Sequence, residues 1–166
     1  MTTQPAKRAN ICVVGSTNID LITKAPRLPV MGETMIGHSF HLGYGGKGAN
    51  QAVMAAKLGA AVKMVTKVGR DVFGDWALKN YREQGIDTTH VLFDEELSSG
   101  VAPIFVSDSA QNFIVIVPGA NMALAPADVQ AAAGAIRAAD LLVCQLEIPV
   151  ETTLEAFRVA KAGGVR

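Results

Sequence analysis

Cysteine is scarce: two residues in 166, Cys12 and Cys144, with no CxxC spacing. Each lies in a short apolar run, Ile11-Cys12-Val13-Val14 and Leu141-Leu142-Val143-Cys144. That reads as two reduced, buried strand residues and argues against a disulfide framework or a zinc site. An excess of either charge is missing as well, since 15 Lys+Arg balance 15 Asp+Glu. A general attraction to nucleic acid or to anionic lipid is therefore not expected. No apolar run approaches the ~20 residues of a spanning helix. The start MTTQPAKRAN is polar and leads into only four apolar residues, unlike a signal peptide. The expectation is a cytoplasmic chain with no membrane and no nucleic-acid partner. His38 and His41 are three apart in an expected strand, hence on opposite faces, and no metal site is expected.

What the chain has is apolar content, 49% hydrophobic against 18% charged residues, enough for one domain with a real core. Buried strands are expected at Ile11–Val14, Val62–Val68 and Leu141–Cys144. Helices are expected at Lys47–Leu58, Val72–Gln84, Pro126–Ala138 and Val150–Ala162, with Gly59, Gly85 and Gly163 as stops. This alternation predicts an α/β fold, a parallel sheet flanked by helices and joined by right-handed crossovers. Segments at Asp20–Thr23 and Met35–Leu42 read as more exposed strands, and Val101–Val106 and Phe113–Val117 as a hairpin around the turn cluster Ser107–Gln111. The stretches near 20–42 and 90–118 are expected to form a second, small antiparallel sheet, with Pro103 on an edge strand. Gly163-Gly164 ends the last helix and Val165 should open another buried strand. Either the 166 residues are part of a longer protein, or the remainder comes from elsewhere.

The densest motif is Gly43-Tyr44-Gly45-Gly46-Lys47-Gly48, a glycine-rich stretch feeding a helix N-terminus, where polar or anionic ligands are favoured. It satisfies G-x-G-x-x-G, but the preceding HSFHL is polar-alternating. The next strand carries Lys63 and Lys67 where a dinucleotide fold places an acid. A P-loop fails too, lacking its first glycine and the Ser or Thr after lysine. What remains is a loop whose glycines bring backbone N–H groups near a ligand, followed by Lys47 and Asn50 on one helix face. A tight turn with a solvated lysine is the competing reading.

Asn18 and Asp20 lie two apart in an extended segment, so both point to one face, just beyond a buried strand's C-terminal end. A carboxylate beside an amide suits vicinal hydroxyls, although a turn-stabilising pair is as consistent with the residues alone. Gln145-Leu146-Glu147 follows another buried strand. Together these groups outline a polyol pocket.

The segments GSTNID, LPVMGET, GYGGKGANQA, KVGRDVFGDWA, GIDT, SSGVAPIFVSD, IVIVPGAN and CQLEIP closely resemble the ribokinase branch of the carbohydrate kinases, in order from about Ile11 onward. The resemblance implies a ribokinase-like fold with a β lid and ATP-dependent phosphorylation of a pentose's primary hydroxyl. By motif, Asn18 and Asp20 correspond to sugar-hydroxyl ligands, Gly46, Lys47 and Asn50 to the loop closing on the sugar, and Glu147 to a further hydroxyl-binding group. Ala102, Ile104 and Ile116 correspond to an apolar wall supplied by the lid. The resemblance further implies ATP, Mg2+ and a monovalent cation (K+) as cofactors, and a homodimer through the lid. The family's catalytic aspartate lies in a GAGD motif, which these residues do not contain. The expectation is an N-terminal portion, residues 1–166 of a single domain, that holds the sugar side but not the chemistry. A pentose- or nucleoside-binding module without catalysis and an NADP-dependent oxidoreductase remain as alternatives.

Overall fold

A computed structural model describes residues 8–166. Eight strands and five α-helices follow in chain order: β1 (Asn10–Val14), β2 (Asn18–Ala25), β3 (Ser39–Gly45), α1 (Lys47–Lys57), β4 (Ala61–Gly69), α2 (Val72–Glu83), β5 (Asp87–Asp94), β6 (Gly100–Ser107), β7 (Asn112–Ile114), α3 (Pro126–Ala131), α4 (Ala133–Arg137), β8 (Leu141–Cys144) and α5 (Val150–Ala162). A short 3-10 turn, Gly119–Ala123, precedes α3.

The expected parallel sheet is present, in the order β5-β4-β1-β8 with every pairing parallel. Its central strand, β1, is covered on both sides. Cys12 and Val14 face the cluster built by α3, α4 and α5, while Val13 faces the cluster under α1 and α2. Burial pushes both cysteine thiols up to about 12, in keeping with inert core residues.

The second sheet runs β3-β2-β6-β7. It is mixed where an antiparallel one was expected, because β2 and β6 pair in parallel over Asn18↔Gly100 to Ala25↔Ser107. The stretch 90–94, expected in this sheet, belongs to β5 of the main one; its pairing with β4 buries Val91. Pro103 is on an inner strand, at the gap in the β6–β7 ladder between Ile104↔Ile114 and the isolated bridge Val101↔Val117. A residue without an N–H is tolerated at such a gap.

Two further boundaries move. The strand expected at Met35–Leu42 begins only at Ser39 and runs through Gly43 to Gly45, antiparallel to β2. The helix expected over Pro126–Ala138 breaks at Ala132, whose N–H is shared between the carbonyls of Asp128 and Val129.

Candidate functional site

β1 hands the chain to β2 through Gly15, Ser16 and Thr17, so the first residues of β2 stand at the C-terminal rim of the main sheet. The registers put Asn18 and Asp20 on one face of the small sheet, beside Gly45 and Gly43 of β3 and Gly100 and Ala102 of β6. The glycines are there for space. A Cβ on Gly45 would fall 2.2 Å from Asp20 Oδ1, and one on Gly100 would fall 2.1 Å from Asn18 Oδ1. Gly43 and Gly45, which look like loop glycines in the sequence, are therefore strand residues that leave room for the polar pair.

Glu147 reaches the same place from the β8–α5 connection. Its Oε2 accepts from the Ser16 hydroxyl at 2.7 Å and from the Lys47 backbone N–H at 2.9 Å, and its Oε1 accepts from Lys47 Nζ. Ser16 also takes up the next two amides of α1: Gly48 N–H donates to its Oγ at 3.2 Å and Ala49 N–H to its carbonyl at 2.9 Å. The helix N-terminus does attract an anion, and the anion is the protein's own carboxylate. The expectation that the glycine loop offers free N–H groups to a ligand is thus corrected. Gly46, at φ 90°, and Gly48 serve instead to let α1 approach the Gly15–Asn18 backbone, where any Cβ would clash.

The two carboxylates are shifted in opposite directions. Burial and the charge of Glu147 raise Asp20 above the ordinary carboxylate range. Burial also acts to raise Glu147, but the hydrogen bonds from Lys47 and Ser16 outweigh it and hold Glu147 low. Among the described residues Asp20 has no hydrogen-bond or ion-pair partner. A half-buried carboxylate without donors is a site waiting for them.

Beside Asn18 opens a cleft of about 530 Å³, with Ile116, Asn121, Leu146, Glu147 and Pro149 among its walls. Ala102 is buried against Asp20, Ile104 is half-buried on the same face, and Ile116 is 53% exposed. Asn50 is exposed one turn beyond Lys47, and its side chain makes no hydrogen bond among the described residues. Sequence reasoning missed Ser16, which organises the Glu147 side, and Asn121, which is 1% exposed. Asn121 accepts from Thr17 N–H and donates to the carbonyls of Thr17 and Pro118 and to Asn18 Oδ1. The signal for it was within reach, an asparagine after the turn-forming Pro118-Gly119 in IVIVPGAN.

The model of the pfkB carbohydrate kinase family matches residues 8–166. The chain belongs to that family. It is 46% identical over 156 residues to a deoxyribokinase of Salmonella typhi, covering 94% of this chain and 51% of the relative. It is 44% identical over 163 residues to the ribokinase of Mus musculus, covering 98% and 50%. Among solved structures, Arabidopsis thaliana ribokinase complexed with ribose and ATP aligns with a TM-score of 0.86 at 31% identity, over 95% of this chain and 52% of that one. The chain spans about half the length of the curated relatives it matches.

Among the described residues no group of three or more His, Cys, Asp or Glu could hold a metal ion. Lys67, in the strand where NADP binding would use a cation, is 2.7 Å from Asp128. No described helix is long and apolar enough to cross a membrane.

Proposed function

We propose that these residues form the sugar-holding side and the lid of a cytoplasmic, ATP-dependent kinase that phosphorylates the primary (5-) hydroxyl of D-ribose or a related pentose. The observation that carries this reading is the unpartnered Asp20 carboxylate beside Asn18, with Glu147 close enough for its charge to act on Asp20. A carboxylate can accept from two adjacent hydroxyls and an amide can serve a third. Lys47, already at the rim, donates to the sugar or yields Glu147 to it. Ala102, Ile104 and Ile116 cover the sugar's carbon skeleton, and Asn50 completes the loop side. The names of the relatives, ribokinase and deoxyribokinase, support a pentose as substrate.

ATP would supply the phosphoryl group, with Mg2+ and K+ beside it. Among the described residues no group of three or more His, Cys, Asp or Glu could hold the metal, and the aspartate implied by the family resemblance has no GAGD counterpart in the sequence. In this reading turnover requires residues outside 1–166, and the chain alone binds sugar without phosphorylating it. Phe40 and Phe113, on the face of the small sheet opposite Asp20, are each more than half exposed, which favours a homodimer formed through this sheet.

Calorimetric titration with D-ribose, adenosine and NADPH tests the reading. Heat with ribose, abolished by Asp20→Ala, is the expected result. Ribose heat that survives Asp20→Ala, or heat with NADPH alone, overturns it. Heat with adenosine but not ribose replaces the pentose with a nucleoside.

A further inference from the structure

Asn18 has two faces, an acceptor and a donor, and which of them meets a ligand decides what that ligand must offer. The choice is settled by backbone groups whose polarity is not negotiable. Thr17 N–H can only donate, so the Asn121 atom 2.8 Å from it is the oxygen. The other end of Asn121 is then the NH2 group, consistent with its donation to the Thr17 carbonyl at 3.0 Å and the Pro118 carbonyl at 2.9 Å. The same NH2 lies 2.8 Å from Asn18, so the Asn18 atom facing it is Oδ1. Asn18 is left with its NH2 directed elsewhere, and that group has no partner among the described residues. It is also not sealed from solvent. Asn18 and Asn121 both line the 530 Å³ cleft.

We infer that Asn121 is a positioning residue that locks the Asn18 side chain with its amide NH2 toward the cleft, so that Asn18 meets a sugar hydroxyl as a donor only. The inference rests on the pentose reading for the identity of the ligand, but not for the lock itself. Asp20 is an acceptor, so the two neighbours on one strand face would discriminate between the hydroxyls they meet: one hydroxyl gives its proton and the other takes one. The lock is itself anchored. The Thr17 hydroxyl bonds the hydroxyls of Thr66 at 2.9 Å and Tyr81 at 2.7 Å, all three buried, which fixes the backbone that Asn121 grips.

Two measurements on the 166-residue chain test it. In the first, side-chain amide exchange is followed by NMR on the wild-type chain without ligand. Asn121 NH2 protons should exchange at least about 100-fold more slowly than those of Asn18, as expected for a buried, doubly paired amide. Equal, fast exchange overturns the lock. In the second, affinities for D-ribose, 2-deoxy-2-fluoro-D-ribose and 3-deoxy-3-fluoro-D-ribose are compared in the wild type and in Asn121→Ala. Fluorine accepts but cannot donate. Freed by the substitution, Asn18 can turn its oxygen to a hydroxyl but gains nothing from fluorine. The preference for ribose over one fluoro sugar should rise about five- to tenfold, the scale of one hydrogen bond. An equal loss for all three sugars marks a merely structural residue and overturns the inference. Should Asn121→Ala not fold, the exchange measurement decides alone. Absence of ribose heat with the wild type sinks the pentose reading, and the exchange rates still judge the lock.

Discussion

At the scale of single residues, the site is defined by which polar atoms lack partners. Asp20 has none among the described residues and its ionised form is disfavoured by burial and by Glu147. A carboxyl whose folded-state pKa is raised weakens the fold when ionised, so removing its charge should strengthen the empty protein at neutral pH. Asp20→Asn is expected to raise Tm by roughly 1–2 °C in a thermal melt while lowering ribose affinity at least ~100-fold. Acid should act in the same order. Glu147 is held low, so the stability it contributes is present above the ordinary glutamate pKa and is lost only as pH falls through its depressed folded value. Asp20 is shifted the other way and gives up its charge at a higher pH than an ordinary aspartate. Ribose affinity, followed by calorimetry from pH 7 downward, should therefore disappear while far-UV circular dichroism still reports a folded chain. Simultaneous loss of both would contradict the assignment of opposite shifts. Asn18, Asp20 and Glu147 were legible in the sequence because alternation and strand ends fix where such side chains point. Ser16 was not, since its partner lies 131 residues away along the chain.

At the scale of elements, α1 and the two strands flanking β2 set the dimensions. Glu147 occupies the N-terminus of α1, bonded to the Lys47 amide and ammonium. Glu147→Gln keeps the shape but removes the charge, and should destabilise the chain by about 1–2 kcal/mol in a denaturant titration. A second test concerns the strand glycines. Gly45 has no positive φ to protect, so Gly45→Ala is a matter of space alone: its methyl would overlap Asp20 Oδ1. The variant should fold and lose ribose affinity about tenfold or more, as expected when a charged hydrogen bond is displaced. The sequence pointed to a loop at these glycines because glycine depletes strands in general, and only the register Asn18↔Gly45 explains why it was needed here. The helical run after Lys47 is largely apolar, with Ala49, Ala52, Val53, Ala55, Ala56 and Leu58. In the structure Ala49 and Ala52 are buried but Leu58 is 80% exposed, because α1 covers the sheet with one face only.

At the scale of the molecule, two sheets share one seam. The main sheet was readable from its buried strands. The small one was only half readable, since its central pairing is parallel and joins segments about 80 residues apart in sequence, from Asn18↔Gly100 to Ala25↔Ser107. Alternation reveals a strand's faces but not its neighbour. If the exposed apolar residues of this sheet meet a second copy, sedimentation across the micromolar range should show a dimer, and Phe113→Asp should shift it to monomer. A monomer at all concentrations would remove that part of the proposal. The way the small sheet is attached has a mechanical consequence. The chain crosses between the sheets at Gly15–Thr17, at Gly46, just before Gly100 and again after Val117, all at the end where Asn18, Gly45 and Gly100 lie side by side. The far end of β2, seven residues along, stands roughly 23 Å away at a rise of ~3.3 Å per residue. A sheet clamped at one end and free at the other bends like a cantilever: Asn18 and Asp20 stay put near the root, and displacement grows toward Ala25 and Ser107. A guest seated at the root would meet a fixed polar grip whatever the angle of the beam above it.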